Sequence, residues 1–239
     1  MEMFRELFES MDQWRPKVLV NTIEELEADV LVEMKRHLDV VTVGPMVRSS
    51  TDARIHLFEL DVGVDKKRYM EWLRAHPDRD GVEDDGDDES SRHGSPDLEN
   101  TQQSQQGMVV DWCDQLEVLS HPAVGCFFSH CGWNSTVEAV ASGVPIVGVP
   151  NSYDQPTNAY LVEEEWEVGV RGGRNSDGVV TGTELARCIE LVMGDGAKAV
   201  AIRERMKELK EIAQAAVSTG RSVERNLCDF VKTFQALES

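Results

Sequence analysis

A glycine-rich loop of the G-x-G-x-x-G type is absent from the 239 residues, which argues against a dinucleotide fingerprint. No apolar run is long enough to span a bilayer, and the opening Met1-Glu2-Met3-Phe4-Arg5-Glu6 has no apolar segment of the kind that directs secretion. Bases are scarce: 24 Lys and Arg stand against 44 Asp and Glu, a formal net charge of -20. A surface that acidic repels phosphate backbones and anionic lipid, so neither nucleic acid nor membrane is expected as a partner. Cysteines number five, an odd count without a CxxC pair. That pattern fits a reducing compartment better than a disulfide framework. A soluble, cytoplasmic, monomeric protein is the expectation.

Apolar residues make up 41% of the chain, enough for a core, and they are patterned. Phe4 to Trp14 reads as an amphipathic helix, and Lys17 to Thr22 as a buried strand. Thr22, with Glu24 and Glu25 behind it, looks like a helix start. That helix continues through Leu26, Val30, Met34 and Leu38 at helical spacing. Asp39 to Pro45 is a second strand, stopped by Gly44-Pro45. Strand, helix and strand make the unit of an α/β fold. A connector follows over 47–77, with a short helix from Lys66 to Ala75. Between Asp80 and Glu99 nine acids face one base, Arg92, and from Pro77 to Gly107 almost no large apolar residue occurs. Such a stretch buries too little surface to offset its ordering entropy, so 78–106 is expected to be a disordered acidic loop.

From 107 onward strands alternate with helices. Strands are expected at Met108–Val110, Val124–Ser129, Pro145–Val149 and Val168–Val170. Helices are expected at Gln115–Leu119, Asn134–Ala141, Gln155–Trp166, Thr181–Met193, Ala197–Ala216 and Ser222–Leu237. Strands that are apolar throughout predict a parallel sheet covered on both faces.

Three successive strand ends carry the chemistry. In Phe127-Phe128-Ser129-His130-Cys131-Gly132-Trp133-Asn134-Ser135 an apolar strand feeds a helix opened by Asn134 or Ser135, both favoured caps. Free N–H groups and the helix dipole favour a phosphate there. Gly132 admits a close backbone, and His130 stands ready to donate to a phosphate oxygen. Glu138, one turn on from Ser135, suits a cis-diol such as ribose. The next strand leads through Tyr153 to Asp154 and Gln155, a carboxylate and an amide able to chelate sugar hydroxyls. The preceding strand ends at Trp112-Cys113-Asp114-Gln115, where Trp112 offers a flat face to a base.

The span Trp112 to Gln155 closely resembles the 44-residue signature of plant UDP-glycosyltransferases that modify small secondary metabolites. The likeness runs through Trp112, Gln115, Val118-Leu119, His121-Pro122, His130 to Ser135, Glu138, Gly143-Val144-Pro145, Pro150 and Asp154-Gln155. Val18 to Pro45, Tyr69 to Pro77 and the C-terminal helices resemble the same family, with Lys17 to Thr22 and Val43 to Pro45 suggesting its flavonoid and hormone branch. The resemblance implies a GT-B-type fold of Rossmann-like parallel sheets with flanking helices. It divides the chain into a remnant of an acceptor-binding domain, 1–46, and a UDP-sugar-binding domain, 107–239. It implies that Trp112 stacks on uracil, with the Cys113 backbone at the base edge and Gln115 and Glu138 at the ribose. His130, Asn134 and Ser135 would hold the phosphates, with Gly132 between them. Trp133, Asp154 and Gln155 would hold the sugar, the final Gln going with glucose. The implied reaction transfers glucose from UDP-glucose to a hydroxyl or carboxyl of a flavonoid, phenolic or hormone. No metal or other cofactor is implied, and the partners are the donor and a small-molecule acceptor.

Two departures stand out. The family's catalytic His and its Asp have no counterpart among these residues, so no catalytic residue is assigned and the isolated chain is expected to be inactive. A run is also missing between Arg79 and Asp80, where the family places the first two strands of its nucleotide domain. The alternatives are therefore a truncated, inactive remnant that binds UDP-sugar, or a protein that interacts through its acidic loop. Trp133 either packs under the loop or touches sugar, and Asp154 either caps a helix or binds sugar. Cys131 has no paired base of a nucleophile, and His130 with Cys131 lacks a second pair at metal spacing.

Overall fold

Lys17-Val18-Leu19-Val20 alternates exposed and partly buried side chains and forms strand β1 (Lys17–Val20). It pairs in parallel with β2 (Asp39–Thr42), Lys17 opposite Asp39 and Val20 opposite Thr42. Between them runs helix α2 (Ala28–His37), preceded in the chain by α1 (Glu2–Trp14). The structure is a computed structural model and describes residues 2–46, 62–76, 107–218 and 222–235. The acidic loop over 78–106, most of the connector and the missing run after Arg79 lie outside the described residues.

Helix α2 begins at Ala28, six residues after Thr22. Thr22 is buried and its hydroxyl turns to Ile23 O at 3.5 Å, so it caps nothing, and 24–26 form a turn. That turn carries Ile23 and Leu26 into the core of the second sheet.

The remaining elements are α3 (Val62–Arg74), α4 (Gln115–Leu119), β3 (Phe127–Ser129), α5 (Trp133–Ser142), β4 (Ile146–Gly148), α6 (Gln155–Tyr160), β5 (Gly169–Arg171), α7 (Gly182–Met193), α8 (Ala197–Val217) and α9 (Ser222–Gln235). The second sheet has the order β3-β4-β5 and is parallel throughout. Every residue of β4 is buried. Ile146 packs to one side with Val140, Val162, Trp166, Met206 and Leu209, while Val147 packs to the other with Val170, Cys188, Val192 and Ile202. A fully apolar strand is thus the signature of a sheet covered on both faces. Helix α8 supplies both sides, because Ala199, Ile202, Met206, Leu209, Ala213 and Ala216 recur at three- and four-residue steps.

Two further expectations change. Met108–Val110 forms no strand: β3 lies at the edge of its sheet, and no described strand stands beside it. A strand exists only as half of a pair, so an apolar run without a neighbour stays extended but unpaired. Met108 and Val110 instead pack with Tyr69, Met70 and Leu73 of α3, and Phe128 of β3 remains exposed. The expected helix over Gln155–Trp166 is α6 followed by one π-helical turn, Leu161–Glu165, whose extra residue lets Trp166 N–H bond Leu161 O. Thr181 behaves as the sequence requires, accepting Glu184 N–H at the start of α7.

Two tryptophans join the sheets. Trp166 Nε1–H donates to Leu26 O at 3.0 Å and Trp133 Nε1–H donates to Asn21 O at 2.7 Å, the two rings meeting edge to face at 6.1 Å. At the far end of the chain, α9 returns to the first sheet, where Asn226 Nδ2 donates to Thr42 O at 2.9 Å. Trp166→Phe keeps most of the packing but orphans the buried Leu26 carbonyl. A loss of about 1–3 kcal/mol in unfolding free energy is expected from urea titration followed by circular dichroism.

Candidate functional site

Ser129 at the end of β3 pairs with Gly148 at the end of β4, and Val149 N–H extends the ladder by donating to Ser129 O at 2.8 Å. Both chains therefore leave the sheet at one rim, the place where parallel α/β sheets bind ligands. From β3 the chain reaches α5 in three residues. Cys131 takes the left-handed conformation, φ 62°, which costs a non-glycine residue about 1 kcal/mol or more. Its neighbours hold it there: its N–H donates to Ser129 Oγ at 3.0 Å, and its carbonyl accepts from Asn158 Nδ2 at 2.9 Å. Burial pushes the Cys131 thiol up to about 11, only partly offset by a backbone hydrogen bond from Val149. A thiol so placed is inert, in keeping with the exclusion of Cys131 as nucleophile.

His130 is exposed, and its ring folds back onto Gly132. A Cβ at 132 would lie 2.5 Å from His130 Nε2, so only glycine lets the imidazole rest against the start of the helix. Gly132, not Asn134 or Ser135, is the N-cap of α5. Its backbone is extended and its carbonyl already accepts Thr136 N–H at 3.0 Å. The cap carries no side-chain acceptor, so the amide N–H groups of Trp133, Asn134 and Ser135 have no partner within the helix. That arrangement favours an anion.

Helix α4 sits beside this helix start. Asp114 caps it by accepting Glu117 N–H at 3.2 Å, and Asp114 N–H donates to Tyr69 Oη at 3.1 Å. Gln115 Nε2 then donates to Glu138 Oε2 at 2.7 Å and to Ser135 Oγ at 3.1 Å. The structure thus brings Gln115, Ser135 and Glu138 into one hydrogen-bonded group. Cys113 is half-buried against α3, and burial raises its thiol. Trp112, three residues before Gln115, stands in no strand and is 47% exposed, leaving a ring face open.

Of the two readings of Trp133, the structure shows the packing one for the side chain. The indole lies under the loop, bonded to Asn21 O and set against Trp166. On the β4 side, Tyr153 takes φ 60° and is fully exposed. Asp154 occupies the N-cap position of α6 without a bond to a backbone N–H; its Oδ2 accepts from Asn158 Nδ2 at 2.8 Å instead. Gln155 Oε1 accepts from Asn151 N–H at 2.9 Å and Ser152 N–H at 3.2 Å, turning its amide nitrogen outward. Arg174 pins the same loop by donating to Pro150 O at 3.1 Å and Asn151 Oδ1 at 2.6 Å.

Asn158 ties the two rim loops together, and sequence reasoning missed it. An amide one turn beyond Asp154, beside Ala159 on the face that α6 buries, was the available signal. Asn21 was also missed. It reaches the start of α5 from 113 residues away, and nothing local marks it.

The family described as "UDP-glucoronosyl and UDP-glucosyl transferase" matches residues 95–204. UDP-glycosyltransferase 75C1 of Solanum lycopersicum is 38% identical over 95% of this chain, and phloretin 4'-O-glucosyltransferase of Malus domestica is 34% identical over 99%. The crystal structure of Os79 from O. sativa, in complex with UDP and deoxynivalenol-3-glucoside, superposes on 97% of the chain with a TM-score of 0.73 at 29% identity. The chain belongs to the plant UDP-glycosyltransferase family.

The chain spans little more than half the length of these relatives: 56% of the tomato protein, 58% of the apple protein and 57% of the rice chain. The tomato alignment runs over 264 positions, more than the 239 residues present, so this UDP-glycosyltransferase chain lacks residues that its relative has inside the matched span. Among the described residues no helix is long and apolar enough to cross a membrane. All five cysteines are free thiols, Cys131 and Cys188 buried and Cys228 exposed. Alkylation requires thiolate, which at Cys131 forms only as the pH approaches its raised value of about 11. Iodoacetamide at neutral pH, followed by peptide mass mapping, is therefore expected to label Cys228 first and leave Cys131 unlabelled until the fold opens.

Proposed function

We propose that this chain binds the nucleotide-sugar donor of a glucosyl transfer, in which UDP-glucose gives its glucose to a hydroxyl or carboxyl of a small plant metabolite. The hydrogen-bonded group Gln115–Ser135–Glu138 at the open start of α5, with His130 folded beside it over Gly132, carries this reading. Glu138 and Gln115 offer an acceptor and an amide to the two ribose hydroxyls, while the exposed face of Trp112 and the Cys113 backbone suit the base. The first-turn N–H groups of α5 together with the Asn134, Ser135 and His130 side chains suit a diphosphate. A helix terminus, amide donors and an imidazole supply the positive end of that interaction from the chain itself, without a metal. Asp154 and the outward amide of Gln155 stand where the glucose hydroxyls would lie. In this reading 107–239 forms the donor side and 1–46 part of the acceptor side. Five free thiols fit a cytosolic setting.

Titration calorimetry with UDP and with uridine tests the assignment. The chain is expected to bind UDP with a Kd of about 1 mM or tighter, equivalent to about -4 kcal/mol. His130→Ala removes one hydrogen bond to a charged group, so it should weaken UDP about tenfold to a hundredfold. Uridine should stay within about twofold in that variant, because its loss falls on the phosphates. Glu138→Ala should weaken UDP and uridine alike. Absence of heat with UDP, or a His130→Ala variant equal to the original, would remove the proposal.

A second reading has its own observation: among the described residues β3 is an edge strand and Met108–Val110 joins no sheet, and the relative carries extra residues within the matched span. A donor site beside an incomplete sheet would hold UDP-glucose without transferring it. On that reading the 239-residue polypeptide yields no glucoside from UDP-glucose and a panel of phenolic acceptors by mass spectrometry. Product above a His130→Ala control would refute it.

A further inference from the structure

Asn21 follows the last residue of β1 in the first sheet, yet two of its three polar groups reach the start of α5 in the second, while the third is held by the segment after β2. Its backbone carbonyl accepts the Trp133 indole N–H at 2.7 Å. Its Oδ1 accepts Met46 N–H at 2.7 Å, and its Nδ2 donates to Asn134 Oδ1 at 3.4 Å. These bonds determine one another. A backbone N–H can only donate, so the side-chain atom that faces Met46 must be the amide oxygen. The nitrogen of Asn21 then faces Asn134, and a nitrogen there can be met only by the oxygen of Asn134. The Asn134 amide is thereby held with its own nitrogen directed away from Asn21. Close packing locks the lender of this orientation in place: a Cβ on Gly44 would lie 2.5 Å from Thr22 N and 2.7 Å from Asn21 Oδ1.

We infer that Asn21 is a positioning residue for the donor's phosphates: it fixes the rotamer and the amide sense of Asn134 so that a pair of N–H donors, not a carbonyl, meets the anion. The inference rests on the proposal that α5 receives a diphosphate. An unconstrained asparagine at this exposed position populates several rotamers and both amide senses before the anion arrives, so the donor-presenting conformer is a minor fraction and the affinity for the anion falls by that fraction. The device also makes the first sheet a contributor to the donor site, through a residue that need not touch the ligand.

The test uses the full 239-residue chain, with UDP and uridine titrated against the original and two variants, and thermal unfolding recorded for each. Asn21→Ala frees the Asn134 amide and should weaken UDP about threefold to tenfold while uridine stays within about twofold. Asn21→Asp still accepts Met46 N–H, so a merely structural role would be rescued by it. A positioning role predicts the opposite. The carboxylate draws the Asn134 nitrogen toward itself and adds a negative charge near the phosphates, so UDP should weaken further than in Asn21→Ala, and more so at low salt. Variants with unchanged UDP affinity, equal losses for UDP and uridine, or restoration by Asn21→Asp would overturn the inference while leaving the donor site standing. An original chain that binds no UDP would remove both.

Discussion

The parallel pairing of β3 with β4 brings the two loops that follow these strands to one rim of the sheet. Ser129 opposite Gly148, extended by the bond from Val149 to Ser129, makes two chains leave the sheet side by side. Each then turns through a left-handed residue, Cys131 on one side and Tyr153 on the other, before entering a helix. The buried amide of Asn158 bridges the two turns by bonding Cys131 O and Asp154 Oδ2. Loss of that register would separate the imidazole and the α5 amides from the Asp154–Gln155 pair, whatever the fate of each loop alone.

Around this rim the site is assembled from elements that share little sequence proximity. Helix α4 brings Gln115 to Glu138, and α4 is itself anchored to α3 through Tyr69. Arg174, beyond β5, holds the loop that Gln155 closes. Two tryptophans beneath the rim bond carbonyls of the first sheet's turn, so the second sheet's core and the first sheet's carboxyl end form a continuous support. Trp133 lies within the conserved-looking run that suggested sugar contact, but its ring serves this support. A large amphipathic ring with one N–H donor is well suited to such a joint, since it buries apolar area and satisfies a carbonyl at once.

The relatives and the structure agree on what this region is and differ on its extent. A TM-score of 0.73 over 97% of the chain shows the family arrangement, and the 57% coverage of the rice chain marks how much of it is spanned. Phe128 is exposed on β3, which is an edge strand among the described residues, and Met108–Val110 takes no place in a described sheet.

The sequence by itself determined the elements whose cause is local. Helical spacing placed α8, an unbroken apolar run placed β4, and the alternation of strands and helices placed α7 near Thr181. Tertiary structure alone decided whatever depends on a distant partner. Met108–Val110 has strand composition but needs a neighbour to become a strand, and its sheet does not provide one. Gly132, with its extended backbone, is the cap of α5 in place of Asn134 and Ser135, because the helix starts one residue before the side chains that local preference would choose. Trp133 was settled by a carbonyl 112 residues away, and the orientation of Asn134 by an amide 113 residues away. Local propensity is written in neighbouring residues; hydrogen-bond partners across sheets exist only once the chain has closed on itself.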